Sequence, residues 1–387
     1  MLGRKGAVAL ALTALTAAGC GGKDKEKVEL KGTVTLGVLA PTGRPGELGT
    51  RAKDLADGAR MAVAETNAAG GVLGRKLELS FVDDGCDPTI AYEAAKAFVS
   101  DAPVAGVLGG VCDETAARAI PVIESASLPF LITSATASDL VNQDSTSAYM
   151  LNGTTYQQGL SAMYWMNYRG AERLAVLQDE TPASKDLARK AIAAVDEIPK
   201  LVSLQTVEPG GQDLTTIAKA TIAAKPNFVL WTGGPAAGGE LVNALRDAGY
   251  KGAFTATAAS EDPAFLTAAG PAGEGAFITA TATPLNTPSA APWNARFEQR
   301  YQRKPGFEAQ QGFDAVRTLA HAMNRSRSTE SGKVLKAMTT LDAKFANALG
   351  PVRFAADHTL LYDNRVILRV KDGAFTWERS LRTDSLG

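Results

Sequence analysis

Strand patterns and helix patterns alternate along most of this chain, and that alternation limits the possible folds more than any single motif does. Short apolar runs such as 34–39 and 77–82 are typical of buried strands, whereas the amphipathic stretch 52–69, which ends at two glycines, is typical of a helix. The alternation pauses near residue 152 and then continues to residue 257. Strands that alternate with helices form parallel sheets flanked by those helices. We therefore predict an α/β protein with two parallel-sheet domains.

The last part of the chain has a different pattern. Beyond residue 282, three stretches have helical periodicity and two short stretches have strand character: 293–301, 308–325, 334–339, 365–370 and 374–378. The sequence shows no repeat of fixed period and no low-complexity tract.

The charge balance excludes one large class of partner. The chain of 387 residues has 40 basic and 41 acidic residues, and removal of residues 1–19 leaves 38 basic residues against 41 acidic ones, a net charge of −3. Such a chain lacks the basic surface that nucleic-acid binding requires, so no nucleic acid is expected as a partner. Its length suits two domains. No segment after residue 20 reaches the roughly 18 apolar residues that indicate a membrane span.

The first twenty residues have the features of an export signal. Two basic residues come first, residues 6–18 are apolar or small, and Cys20 follows shortly after them. This arrangement resembles the bacterial lipoprotein signal, in which the cysteine becomes lipidated after cleavage, although Ala17 stands where that signal prefers Leu. Ordinary secretion with an unmodified cysteine is the alternative. We predict a signal peptide at 1–19, a lipid on Cys20 that anchors the protein to the cell membrane, and an extracytoplasmic tether at 20–32.

Two cysteines, Cys86 and Cys112, remain if Cys20 carries lipid. An oxidising compartment favours a disulfide between them. A metal site is the alternative, but the two histidines of the chain, His321 and His358, are distant in sequence from both cysteines. We therefore predict the disulfide, and neither a metal nor another cofactor.

Five segments resemble, in order, those of one protein family. They read GGVLGRKL at 70–77, DDGCDP at 83–88, VLGGVC at 107–112, PFLITSAT at 129–136, and a longer segment with AGY at 228–254. The similarity is to the substrate-binding proteins of branched-chain amino acid ABC transporters, which have the type I periplasmic binding protein fold. It implies two doubly wound parallel-sheet lobes, joined by a hinge of three crossovers, that close over a small solute and deliver it to the permease subunits.

The resemblance also implies the extent of each lobe. It places lobe 1 at 33–152 and 283–352, and lobe 2 at 153–282 and 353–378, with a C-terminal tail at 379–387. A monomer is expected. Because ligands of parallel sheets bind outside the carboxyl ends of the strands, the binding site should lie between the two lobes.

In lobe 1, the resemblance assigns ligand contacts to two segments. The family holds the carboxylate and the amine of its ligand with a hydroxyl just after the second disulfide cysteine and with a segment that matches Ser134, Ala135 and Thr136. The hydroxyl position is Asp113 in this chain. A carboxylate there would repel a ligand carboxylate and favour an amine or a hydroxyl-rich ligand. Two structural alternatives remain open: Asp113 could be the N-cap of its helix, and Ser134 and Thr136 could cap the next helix.

In lobe 2, small residues replace most of the expected ligand contacts. The positions that carry aromatic and acidic residues in the family hold Ala183, Gly234 and Ala258 in this chain, and the stacking position in the first loop of lobe 1 holds Leu48. Glu261 lies three residues after the acidic position, and Trp231 is a candidate cleft residue, although a tryptophan at a strand end also suits the core. A buried ammonium without its acidic partner costs several kcal/mol. We therefore predict a small polar solute, such as an amine, an amide or a polyol, rather than a leucine-like zwitterion.

Other functions fit the sequence less well. A sensor that reports ligand occupancy to a signalling partner is the second interpretation, and an extracytoplasmic enzyme is the third. The motifs of serine hydrolases, nucleotide-binding loops, zinc proteases and dinucleotide-binding folds are absent from the sequence. His321 falls inside a predicted helix and His358 in a polar turn, so both are expected to be structural or solvated.

The acidic residues near the first disulfide cysteine suggest a cation site as an alternative. Asp83, Asp84 and Asp87 offer the oxygen ligands that hard cations prefer. We instead expect Asp87, which precedes a proline, to begin a helix, and Asp83 and Asp84 to face solvent.

Overall fold

The computed structural model describes residues 30–100, 104–195, 199–208, 213–283, 285–341, 347–348, 352–361 and 365–381. The predicted signal peptide, Cys20 and most of the predicted tether lie outside these described residues. No helix in the described part of the chain is long and apolar enough to cross a membrane.

The first sheet has five parallel strands in the order β2-β1-β3-β4-β5. The strands are β1 (Thr33–Leu39), β2 (Lys76–Val82), β3 (Val107–Gly109), β4 (Phe130–Ile132) and β5 (Ala148–Met150). Alternate side chains of β1 point to opposite faces, and helices cover both of these faces. On one face lie α1 (Gly46–Ala68), α9 (Ala291–Tyr301), α10 (Phe307–Ser326) and α11 (Ser331–Met338), and on the other lie α2 (Pro88–Ser100) and α3 (Asp113–Ser125). We call this unit lobe 1.

The second sheet has seven strands in the order β12-β11-β10-β9-β8-β6-β7. They are β6 (Arg173–Asp179), β7 (Lys200–Val207), β8 (Phe228–Trp231), β9 (Ala253–Thr257), β10 (Phe277–Thr281), β11 (Arg365–Lys371) and β12 (Ala374–Leu381). One face packs on α4 (Thr155–Tyr168) and α5 (Pro182–Ala193), and the other on α6 (Leu214–Ala223), α7 (Pro235–Asp247) and α8 (Pro263–Ala269). We call this unit lobe 2.

The two lobes are joined by three crossings of the chain. The first follows β5, the second follows β10, and the third follows α11. The predicted fold of two doubly wound lobes with a three-crossover hinge is therefore confirmed. One detail is different, because β11 pairs antiparallel with both β10 and β12. The sheet of lobe 2 is thus mixed rather than wholly parallel.

Several element boundaries differ from the sequence-based expectation. The strand β10 and the short helix α8 were not predicted, α1 begins at Gly46 rather than at residue 52, and β12 continues to Leu381. Helix α8 has only seven residues, and it begins where the Asp262 carboxylate accepts a hydrogen bond from the Ala264 N–H at 2.7 Å. So short an element carries almost no periodic signal, and its cap is the clearest local indication that it exists.

Two glycines allow α1 and α10 to cross at close range. A β carbon at Gly58 would lie 1.7 Å from the carbonyl oxygen of Ala309, and a β carbon at Gly312 would lie 2.1 Å from that of Leu55. No residue with a side chain fits at such distances, so this crossing requires glycine on both helices.

The predicted disulfide is confirmed and lies beside a buried acid. Cys86 and Cys112 are bonded, and they connect the loop before α2 to the start of α3. Asp87 begins α2 as expected, since its carboxylate accepts a hydrogen bond from the Thr89 N–H at 2.7 Å. The expectation that Asp84 faces solvent is wrong. Its side chain is fully buried and accepts a hydrogen bond from the Cys86 N–H, and burial raises its pKa.

Candidate functional site

A cleft of about 800 Å³ lies between the two lobes. It is bounded by the segments that follow the carboxyl ends of β4, β6 and β8 and by the first turns of α3, α4 and α5. The described residues that line it are Asp113, Thr136, Ala137, Ser138, Asp139, Thr155, Gln158, Asp179, Thr181, Pro182, Ala183, Ser184, Asp186, Leu187, Lys190, Thr232, Gly233, Gly234 and Ala259. This is the position at which parallel α/β sheets bind ligands.

In lobe 1, Asp113 connects the start of α3 to the segment after β4. Its Oδ1 atom accepts hydrogen bonds from the backbone N–H groups of Thr136 at 2.8 Å and Ala137 at 3.1 Å. The N-cap of α3 is Cys112, so the alternative in which Asp113 caps its own helix is wrong. Asp113 instead holds the segment after β4 in place through these two hydrogen bonds.

The segment 134–136 contributes one residue to the lining. Thr136 lines the cleft, and its carbonyl accepts hydrogen bonds from the N–H and the hydroxyl of Thr155 at the start of α4. Ser134 and Ala135 are buried behind the wall, where the Ser134 carbonyl accepts a hydrogen bond from Asn152. The Ser134 hydroxyl has no partner among the described residues.

Neither Ser134 nor Thr136 caps a helix. The next helix is α4, and its N-cap is Thr154. The Thr154 hydroxyl accepts a hydrogen bond from the Gln157 N–H, and the Gln157 side chain accepts one from the Thr154 N–H, which makes a complete capping box. The capping alternative for the 134–136 segment is therefore wrong.

In lobe 2, Asp179 joins two helix starts. Its Oδ1 atom accepts hydrogen bonds from the N–H and hydroxyl of Thr181, the N-cap of α5, and its Oδ2 atom accepts one at 2.9 Å from the N–H of Gly234, the N-cap of α7. Burial by itself would raise the pKa of Asp179, but these hydrogen bonds, together with one from Ser184, outweigh burial and lower it. The side chain therefore stays ionised between two helix N-termini, where negative charge is stabilised.

Sequence analysis did not identify Asp179 as a site residue. A local signal for its role exists, because Asp179 ends a buried strand and stands two residues before the Thr181-Pro182 start of a helix. Its contact with Gly234 depends on the neighbouring position of β6 and β8 in the sheet, which the sequence does not reveal.

A lysine bridges the two lobes at one side of the cleft. Lys190 of α5 lies 2.7 Å from the Asp186 carboxylate and donates a hydrogen bond to the Ser138 hydroxyl of lobe 1 at 3.1 Å. The same hydroxyl accepts a hydrogen bond from the Tyr156 N–H at the start of α4. Ser138 thus lies close to the first crossover, where the lobes approach each other.

Two of the predicted site residues lie elsewhere. Trp231 is fully buried in the core of lobe 2 and donates a hydrogen bond from its indole N–H to the Gly234 carbonyl at 2.9 Å, so its assignment as a cleft residue is corrected. Glu261 lines a separate cavity of about 350 Å³, where it accepts a hydrogen bond from Asn286. Burial raises the pKa of Glu261 to about 7. Ala259, two residues before Glu261, lines the cleft between the lobes instead.

The lining consists mainly of small and hydroxyl-bearing residues, with several acids among them. Ala183 and Gly234, where the resemblance placed aromatic residues, both border the cleft and offer little or no side chain. None of the described lining residues is aromatic. Four of them are aspartates and one is a lysine, and most of the others are hydroxyl residues, glycine or alanine.

Two doubly wound lobes with a ligand-sized cleft between them are typical of a solute-binding protein. The family model described as periplasmic binding protein matches residues 33–374, and the chain belongs to this family. The family consists of extracytoplasmic binding proteins, which confirms that the chain is not an enzyme.

Named relatives agree with this family. The Leu/Ile/Val-binding protein homolog 1 of Brucella suis is 27% identical over 303 residues, which cover 77% of this chain and 80% of the relative. The ABC transporter substrate-binding protein of Desulfitobacterium hafniense, solved in complex with Leu, aligns with a TM-score of 0.71 at 21% identity and covers 89% of this chain and 100% of its own. A solute-binding protein of an ABC transporter from Rhodopseudomonas palustris, solved with 3,4-dihydroxybenzoic acid, aligns with a TM-score of 0.67 at 18% identity and covers 90% of this chain and 97% of its own.

Proposed function

We propose that this protein captures a small polar solute between its lobes and delivers it to the permease of an ABC transporter. The observation that supports this function best is the cleft of about 800 Å³, whose walls come from both lobes and carry acidic and hydroxyl side chains. A ligand that contacts both walls stabilises the closed arrangement over the open one, and the three crossovers are the hinge. Capture requires no chemical step.

The proposals for delivery of the solute to a permease and for the location of the protein rest on the family and on the N-terminal sequence. The relatives include proteins named as substrate-binding proteins of ABC transporters, so a permease is the proposed partner. Residues 1–19 would be removed on export, and a lipid on Cys20 would hold the receptor at the membrane through the tether at 20–32. A monomer is sufficient for this role, because one chain supplies both walls of the cleft.

We propose a ligand other than a branched-chain amino acid. A leucine side chain needs an apolar surface, and Leu187 is the one large aliphatic residue among the described lining residues. Asp113, Thr136 and Gly234 are the proposed contacts, with Ser134 and Ala135 supporting the wall behind Thr136. The Rhodopseudomonas palustris protein, solved with a dihydroxybenzoic acid, is a relative in fold whose ligand is not an amino acid.

The test combines ligand identification with a measurement of closure. Mass spectrometry identifies solutes retained on purification, and small-angle scattering then follows the radius of gyration as each solute is added. We expect a retained polar solute to reduce the radius of gyration, and we expect no micromolar binding of leucine, isoleucine or valine in calorimetry. Micromolar binding of any of these three would overturn the ligand class. A radius of gyration that no bound solute changes would overturn capture by closure.

A matched pair of variants locates the binding site. Ala183 is exposed at the cleft rim, so the indole of Ala183→Trp should occupy part of the cleft and change both ligand affinity and closure. Ala68 is exposed at the end of α1 and is not part of the cleft lining, so Ala68→Trp should change neither. Equal binding by both variants would place the ligand outside the cleft.

A further inference from the structure

A pair of backbone donors in the cleft wall already holds a carboxylate. The N–H groups of Thr136 and Ala137 both donate to one oxygen of Asp113, at 2.8 and 3.1 Å, and all three residues line the cleft. Two neighbouring backbone N–H groups that converge on one oxygen are a typical way to bind an anion. In this protein the anion is supplied by the chain itself.

The wall of lobe 2 has a related arrangement, in which two N–H groups donate to the two different oxygens of one carboxylate. The N–H groups of Thr181 and Gly234, at the starts of α5 and α7, both donate to the carboxylate of Asp179. A ligand carboxylate that entered the cleft would therefore find the convergent N–H groups of both walls occupied by aspartates.

The remaining charges of the lining also disfavour an anion. Of the described lining residues, Asp113, Asp139, Asp179 and Asp186 are acidic and Lys190 is basic. Lys190 is paired with Asp186 at 2.7 Å. The lining thus has an excess of three negative charges, which attract a cation and repel an anion across the few ångströms of a cleft.

We infer that Asp113 determines the charge of the ligand: the cleft takes a small amine cation without a carboxylate and rejects carboxylates, including zwitterionic amino acids. This inference rests on the proposed capture of a solute between the lobes. An ammonium group is a donor with no acceptor, so it complements carboxylate and hydroxyl oxygens such as those of Asp113, Asp139 and Thr136.

Two substitutions of Asp113 test separately its charge and its hydrogen bonds with the N–H groups of Thr136 and Ala137. In Asp113→Asn, the side-chain oxygen can still accept both hydrogen bonds, but the charge is lost. In Asp113→Ser, the shorter side chain leaves the N–H groups of Thr136 and Ala137 open to a ligand. Glu114→Gln is the matched control, because it removes a charge from the same helix start at an exposed residue outside the cleft lining.

The probes are L-valinamide and L-valine, which share a side chain and an amine and differ in the carboxylate. By calorimetry, the wild type should bind valinamide at least about tenfold more tightly than valine, the change expected from one charge contact in a partly solvated cleft. Asp113→Asn should weaken valinamide binding about tenfold without gaining affinity for valine. Asp113→Ser should reverse the preference, and Glu114→Gln should preserve it.

Three results would overturn the inference. The first is tighter binding of valine than of valinamide by the wild type, the second is an unchanged preference in Asp113→Ser, and the third is no binding of valine by Asp113→Ser at millimolar concentration. The first of these would still support solute capture, because valine would then be a ligand. Failure of solute capture itself would give a different result, namely a radius of gyration that no bound solute changes.

Discussion

Helix propensity and tertiary packing predict opposite effects for the replacement of Gly58 by alanine. Gly58 lies inside α1, and in an exposed helix interior alanine is favoured over glycine by about 1 kcal/mol. At this position the added β carbon would lie 1.7 Å from the carbonyl oxygen of Ala309 in α10. The sign of the stability change therefore shows which of the two effects dominates.

The magnitude follows from the size of the overlap. Ordinary contacts begin at 3.4 Å, so the two helices would have to separate by about 1.7 Å. Leu55 and Phe313, on either side of the crossing, belong to one buried core, and a radial gap of 0.5–1 Å already forfeits a quarter to a half of each dispersion contact. Overpacking costs about 1–3 kcal/mol and sometimes more. The large overlap places Gly58→Ala at the upper end of this range, and after subtraction of about 1 kcal/mol for helix propensity we expect the free energy of unfolding to fall by about 2 kcal/mol.

Calorimetric melting measures this change. The transition that includes lobe 1 should shift down by about 4–8 °C. Gly332→Ala is the control, because Gly332 is exposed in the first turn of α11 and an added β carbon there has no atom within 4 Å. The control should melt at or slightly above the wild-type temperature. If Gly58→Ala behaves like the control, the close crossing of α1 and α10 is refuted.

Three other measurements test separate features of the structure. Replacement of Cys86 and Cys112 by serine should lower the free energy of unfolding by about 3.5 kcal/mol, since the loop entropy follows from their separation of 26 residues; an unchanged urea midpoint would contradict this. Burial raises the pKa of Asp314 from 3.8 to about 7. Between these two pH values the folded state holds a proton that the unfolded state has released, so this contribution to stability is lost as pH rises through 7. The free energy of unfolding, measured by urea denaturation from pH 5 to 7, should therefore fall less steeply in Asp314→Asn, by about 1 kcal/mol per pH unit, and parallel slopes would refute the assignment. Trp231→Phe should cost about 2 kcal/mol of stability and leave ligand affinity within about twofold, whereas a selective loss of affinity would return this side chain to the cleft.

The backbone elements were largely predictable because their signals are local. Strand β1 begins within a residue of the expected range 34–39, and β9 ends at residue 257, where the alternation was expected to end, since each is a continuous run of strand-forming residues. Strand β10 was missed, although it is almost wholly buried in the middle of its sheet. Its five residues have strand character only in the context of their neighbours β9 and β11, with which they form their hydrogen bonds.

The candidate site was predictable in position but not in its contacts. The resemblance identified the segments around Asp113 and Thr136, and both residues line the cleft. It did not show that the Asp113 side chain accepts hydrogen bonds from Thr136 rather than from its own helix. The role of Asp179 was missed for the same reason, because its contact with Gly234 joins two neighbouring strands of the sheet. For Trp231 the sequence left the cleft and the core both open, and the structure places it in the core.

The sequence by itself determined most of the order of strands and helices, the family and the pairing of the two available cysteines. These properties depend on periodicity, on motif order and on chemistry that each segment carries alone. Only the tertiary structure decided which polar groups of the cleft remain open to a ligand. Parallel strands bring residues that are far apart in sequence to one edge, and a hydrogen bond then depends on distances of a few tenths of an ångström, which residue identity does not specify.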